Sequence, residues 1–321
     1  MILSVDVGFG DVKSCSGDGF ACVKFPSAIA PYSFGGATHT DGDGLYREEK
    51  VYEFEGQSYL IGEQALLDSN CKTTRSPEFI VEYSPLFVYK AKELLSVSEI
   101  ERLAVGIPLG MFVNPAMERF KTRYRERLAK FIVNGELIEP AHVDVFAQGH
   151  GIYIDYLIKE QKIDSDETVL VVDVGFNTID MLAVVKGKPN KKNSQTLRNK
   201  GVVKIIADLQ SYLQDNFMLE LSEQAVKDIL LKRALKVYGD VKDLSDVIDT
   251  ISENYASWFF GEIKSQKDDF LQTADKLVIA GGGAYFLKNA IPPEYKGFVY
   301  IPENPEFANA RGYYKLSELL A

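Results

Sequence analysis

Apolar positions along the chain fall into two patterns. Short unbroken runs rich in β-branched residues predict buried strands at 2–7, 143–147, 169–174, 181–185 and 276–280. Longer stretches with helical spacing predict helices at 114–133, from Gln148-Gly149-His150-Gly151 through 157, at 201–217, at 222–237 and at 244–270. Asn114 with Pro115, and Ser222, supply the capping residues that start two of them. The basic positions of the first of these, Arg119 to Lys130, read as a solvated face or as a contact for an acidic neighbour. Trp258, Phe259 and Phe260 on the last helix read as core. Alternating strands and helices predict a layered α/β protein. Residues 30–70, rich in Gly, Asp and Tyr and including Tyr32-Ser33-Phe34, read as an inserted subdomain or flap.

Two of the strands begin copies of one segment. Residues 2–13 and 169–180 share the string Val-Asp-Val-Gly-Phe after an apolar run, about half a chain apart. Each copy predicts a strand, an Asp at its end, a Gly-containing bend and a returning strand. The second return closes at the turn 186–190. Glycine at such a bend lets backbone N–H groups approach an anion, and the neighbouring carboxylate suits a hydrated Mg²⁺. A third glycine loop, Gly281-Gly282-Gly283-Ala284, follows the strand at 276–280 and opens an apolar helix start. Each loop alone is more often a tight turn than a ligand site; the three together predict a nucleotide cleft. Walker and dinucleotide-binding glycine patterns do not occur.

Composition narrows the class. The chain of 321 residues is 46% hydrophobic and 26% charged, long enough for two domains. A net charge of −10 argues against a protein that coats duplex DNA. Cys15, Cys22 and Cys71 form no C-x-x-C pair, and they read as reduced, semi-buried residues of a cytoplasmic protein. His39, His142 and His150 are too scattered for a zinc site. No basic leader is visible at the start, and Asp173, Asn177 and Asp180 interrupt the longest apolar stretch, which is therefore not a membrane span.

The D-x-G-x-x-x-x-K hairpin near residue 1, the second Asp-x-Gly hairpin and the late Gly-Gly-Gly-Ala resemble the actin superfamily, which also holds sugar kinases and seventy-kilodalton heat-shock chaperones. The first hairpin and the tail Phe307-Ala308-Asn309-Ala310-Arg311-Gly312-Tyr313 resemble in particular the small prokaryotic actins, namely ParM-type plasmid-segregation actins and archaeal actin-like proteins. The resemblance spans residues 2–313. It implies an α/β actin-like fold of two duplicated domains around a nucleotide cleft. Domain I would take 1–165 with a small subdomain at about 30–72, and 307–321 would return to it. Domain II would take 166–306 with a helical subdomain at about 218–272.

By the same resemblance, Gly8, Phe9, Gly10 and Lys13 hold the β- and γ-phosphates of ATP or ADP. Gly175, Phe176, Asn177 and Thr178 clamp them from the other side. Asp6 and Asp173 bind Mg²⁺ through water, Gly201 meets ribose and phosphates, and Gly281, Gly282, Gly283 and Ala284 pack the adenosine. Gln148, together with Asp173, is the catalytic position. ParM-type proteins place Glu where Gln148 stands, and a glutamine orients water but is a poor base. The implied function is a filament-forming cytoplasmic ATPase that assembles head to tail and moves or positions DNA through a DNA-binding adaptor, without touching nucleic acid or membrane itself. A small-molecule kinase and a non-hydrolysing nucleotide-gated scaffold are the alternatives. A chaperone is excluded because no substrate domain follows the glycine loop.

Overall fold

The computed structural model describes residues 1–17, 21–32, 50–74, 76–112, 114, 117–162 and 166–321. Residues 33–49 of the predicted flap, including Ser33 and Phe34, and the Pro115 helix start lie outside them. The chain divides into two compact units, Met1–Ile163 with Phe307–Ala321, and Asp164–Glu306.

The first unit is built on a five-stranded sheet. Ile2–Val7 forms a hairpin with Asp11–Ser16, which pairs in turn with Ala21–Pro26. On its other edge Ile2–Val7 lies parallel to Arg102–Ile107, and that strand parallel to His142–Ala147. Its central strands are buried along nearly their whole length, as a sheet covered on both faces requires. Helix Pro77–Leu94 contributes to this core. It starts at Ser76, whose hydroxyl accepts the Phe79 N–H at 3.3 Å, with Pro77 in the first turn. Helices His150–Lys159 and Ala308–Leu319 pack against each other and against the sheet. A second sheet, of four strands, is ordered Tyr52–Phe54, Gln57–Ile61, Ala28–Pro31, Lys72–Thr73.

The second unit repeats the same plan. Val169–Val174 forms a hairpin with Thr178–Val185 and lies parallel to Lys276–Ala280, which in turn lies parallel to Val299–Tyr300 at the sheet edge. Helices Val203–Phe217, Glu223–Lys232 and Ser245–Leu271 cover its core.

Three predicted helices end differently in the structure. Helix 114–133 is instead Glu118–Ala129, burying Phe120, Tyr124 and Leu128 at helical spacing. Beyond it Phe131–Val133 and Glu136–Ile138 form a hairpin, turned by Asn134 (φ 52°) and Gly135 (φ 75°). Positive φ at both central residues is what a tight hairpin turn requires. Helix 222–237 stops at Lys232, and Ala234–Val237 pairs with Asp240–Asp243 around Tyr238 (φ 48°) and Gly239 (φ 94°). After Gly281 the chain makes a 3₁₀ turn, Gly282–Phe286, because successive glycines lack helix propensity. Phe259 and Phe260 are core as expected. Trp258 is only partly buried, with the Lys200 and Lys204 amines 5.3 and 5.7 Å from its ring.

The reading of three reduced cysteines is corrected for two of them. The register of Asp11–Ser16 against Ala21–Pro26 sets Cys15 opposite Cys22, and they form a disulfide. Cys71 is free.

Candidate functional site

In the first hairpin the strand register pairs Asp6 with Lys13 and Val7 with Val12. The bend closes when the Gly8 N–H donates to the Asp11 carbonyl at 3.1 Å, and the Lys13 amine donates to that same oxygen at 3.0 Å. A Cβ on Gly8 would stand 3.0 Å from the Asp11 oxygen and 3.2 Å from the Lys13 amine, so a side chain crowds the bend. The turn therefore offers backbone and one cation, a combination suited to phosphate.

Asp6 is buried at the end of its strand. Gln148, 142 positions away, donates its side-chain N–H to Asp6 Oδ1 at 2.9 Å. Burial pushes the Asp6 carboxyl above the ordinary carboxylate range, against the opposing pull of Lys13 and of the Gln148 hydrogen bond. A buried carboxylate in this state is relieved by a further cation, and hard oxygen donors of this kind fit Mg²⁺. Gln148 follows strand His142–Ala147, and its main-chain N–H is fixed by the Ile107 carbonyl at 2.9 Å.

The second hairpin has the same closure further along the chain. The Gly175 N–H donates to the Thr178 carbonyl at 2.9 Å, and Asp173 occupies the position of Asp6. The cross-strand partner differs. Where Lys13 faces Asp6, Asp180 faces Asp173, so one hairpin carries opposite charges and the other like charges. Asp180 is buried and accepts hydroxyl hydrogen bonds from Thr178, at 2.9 Å, and from Thr196. Such charge-assisted bonds are among the strong ones. Asp180 was not among the expected site residues; its place two residues after Thr178, opposite Asp173, was the available signal.

Gly201 has a clear packing reason. Its Cβ would fall 2.3 Å from the Gly175 carbonyl oxygen and 2.6 Å from that of Phe176. Those two carbonyls accept the N–H groups of Val202 and Val203 at 3.1 and 2.8 Å, so the bend sits directly on the start of helix Val203–Phe217. The Lys200 N–H donates to the Asn177 carbonyl at 3.2 Å. Phe176 is partly buried, and the Lys227 amine lies 5.6 Å from its ring.

The triple glycine borders the same hairpin. Strand Lys276–Ala280 runs beside Val169–Val174 with Ala280 opposite Asp173. Gly281 has φ 85°, and its Cβ would fall 2.4 Å from Asp173 Oδ1 and 2.6 Å from the Val174 oxygen. A Cβ on Gly283 would fall 2.3 Å from Val174 Cγ1, whereas Gly282 faces open space. Two of the glycines thus let the loop approach the Asp173 strand end and the third leaves bare backbone. Ala284 is buried. Beside the loop lies a cavity of about 280 Å³ lined by Ala284, Tyr285, Lys288 and residues 301–305. Residues 285, 288 and 301–305 were not anticipated from sequence, because the cavity wall comes from a loop with no periodic pattern.

Paired hairpins of this design, each on a sheet of the same plan, define the actin-like fold. Residues 4–151 match the N-terminal domain of actin-like proteins, and residues 171–292 match the C-terminal domain of archaeal MreB-like actin homologues. Both halves of the chain thus carry actin-like domains. Among solved structures it is similar to Ta0583, an archaeal actin homologue, at 19% identity over 99% of each chain with a TM-score of 0.82. It is also similar to a ParM from a 15-stranded Clostridium botulinum filament, at 19% identity over 99% of each chain and a TM-score of 0.77. Similarity to the actin-like protein Alp7A is 14% identity over 99% of this chain and 96% of that one, with a TM-score of 0.75. No curated protein matches the chain by sequence.

Proposed function

We propose that this actin homologue is an ATPase that polymerises head to tail under nucleotide control and positions DNA through a DNA-binding adaptor. The observation that carries the reading is the repeated bend, Gly8 to Asp11 and Gly175 to Thr178, each closed by the same backbone bond beside a buried aspartate. A solved complex of Ta0583 with ADP, 20% identical to this chain, and the ParM filament support it. The two bends and Lys13 take the β- and γ-phosphates, Gly201 the ribose side, and the base lies against residues 281–284 and the adjoining cavity. Asp6 and Asp173 would hold Mg²⁺ through water, and the ion would neutralise charge on the phosphates.

Gln148 has a defined polarity in this scheme. Asp6 is acceptor-only when ionised, so the amide group facing it is the NH₂, which leaves the Gln148 carbonyl oxygen to accept from the attacking water. Gln148 thus orients the nucleophile without removing its proton. Its loss should slow hydrolysis about 10-fold or more, or ~1.4 kcal/mol of barrier, with nucleotide affinity nearly kept.

Light scattering and pelleting in Mg-ATP, in Mg-ADP and without nucleotide test the whole reading, alongside phosphate release. Assembly above a critical concentration in Mg-ATP, decay as ADP accumulates, and weaker Mg-nucleotide binding or abolished turnover in Asp6→Ala and Asp173→Ala are expected. A protein that hydrolyses ATP but stays monomeric at every concentration and salt would overturn the filament assignment in favour of a small-molecule kinase.

A further inference from the structure

Helix Ala308–Leu319 touches the turn that carries Gln148. Gly149, the next residue, opens helix His150–Lys159 at φ 85°, and its N–H donates to Asn309 Oδ1 at 2.9 Å. Asn309 is 4% exposed. Two glycines make the approach close. A Cβ on Gly151 would lie 2.5 Å from the Asn309 carbonyl oxygen, and one on Gly312 would lie 1.8 Å from the Gly151 carbonyl oxygen. Gln148 itself is held by its main-chain N–H to Ile107 and by its side chain to Asp6. With Gly149 tied to Asn309, the backbone is fixed on both sides of Gln148.

We propose that Asn309 is a positioning residue for Gln148: by anchoring the Gly149 N–H it keeps the Gln148 amide on Asp6 and its carbonyl oxygen aimed at the nucleophile. The inference rests on the Gln148 role in the proposed function. It also gives the C-terminal segment a route to the site. Asn309 stands two residues past Phe307, where the chain re-enters the first unit. Pro305, two residues before Phe307, accepts the Gly281 N–H at 3.0 Å.

A double-mutant cycle on the full chain tests this, since coupling through a shared group makes losses non-additive. Phosphate release is measured for Gln148→Ala, Asn309→Ala and the double variant, with nucleotide affinity and thermal melting beside it. Asn309→Ala should slow release by about 10-fold, like Gln148→Ala, with affinity changed less than about twofold, and the double variant should be no slower than the slower single. Asn309→Asp, which keeps an acceptor in place, should recover much of the rate. Losses that multiply in the double variant, or a parental rate in Asn309→Ala while Gln148→Ala is slow, would overturn the inference alone. A parental rate in Gln148→Ala would overturn the Gln148 assignment and this one with it. If the alanine protein does not fold, Asn309→Ser withdraws the amide acceptor but stays polar, and the same cycle is run with it.

Discussion

Two glycines inside helices should respond to alanine with opposite signs. Gly312 lies in helix Ala308–Leu319, where an added Cβ would overlap the Gly151 carbonyl group, 1.8 Å from its oxygen and 2.4 Å from its carbon. Restoring normal contact needs the helices to separate by roughly 1.5 Å, since ordinary carbon–oxygen packing begins near 3.3 Å. The obstacle is backbone on both sides, so the cost sits at the upper end of overpacking, about 3 kcal/mol. The same shift would break the 2.9 Å bond from Gly149 to Asn309, which adds about 1 kcal/mol. Alanine recovers about 1 kcal/mol of helix propensity. A net loss of about 3 kcal/mol lowers Tm by about 6–12 °C for a unit of this size. Gly261, inside helix Ser245–Leu271, has nothing within 4 Å of its would-be Cβ, so Gly261→Ala should stabilise by about 0.5–1 kcal/mol. Calorimetric melts of both variants beside the parent measure the contrast. If Gly312→Ala melts at or above the parental temperature, the backbone contact described for Gly151 and Gly312 is wrong.

Burial holds the His150 imidazole below its ordinary pKa. As pH falls below about 6.5 the unfolded chain therefore takes up a proton before the folded one, and stability drops across the window down to the folded value. His150→Gln should flatten that acid limb in Tm measured from about pH 7 to 5; an unchanged slope would show that burial does not govern this group. For Cys15 and Cys22, the purified chain should be two hydrogen atoms lighter than its reduced form, with alkylation reaching Cys71 only. Three alkylated cysteines in protein never exposed to reductant would contradict the pairing.

The hairpins were readable because their signal is local: a buried β-branched run, then Asp-x-Gly, twice in the same words. What escaped the sequence depended on register or distance. Asn134-Gly135 is a strong hairpin dipeptide, yet the apolar spacing before it continues smoothly and reads as more helix. Tyr238-Gly239 carries a weaker signal of the same kind. The pairing of Cys15 with Cys22 follows only from which residues of two strands stand opposite. The bond from Gln148 to Asp6 and that from Gly149 to Asn309 join distant segments, and no periodicity encodes either.

The C-terminal helix has a consequence for biosynthesis. Most of the first unit leaves the ribosome early, but Gly106 and Gly151 are shaped to receive Tyr313, Asn309 and Gly312, which are made only after the whole second unit. Tyr313 is fully buried and stacks on Phe146 at 5.7 Å, and Arg311 forms a buried pair with Asp155. Until residues 308–319 emerge, that groove and the Asp155 carboxylate stand open. The second unit, continuous from 164 to 306, has all its strands and helices earlier and can close first, reversing the usual order of N-terminal domains. A nascent chain stalled just after Glu306 would thus be expected to resist protease in its second half before its first.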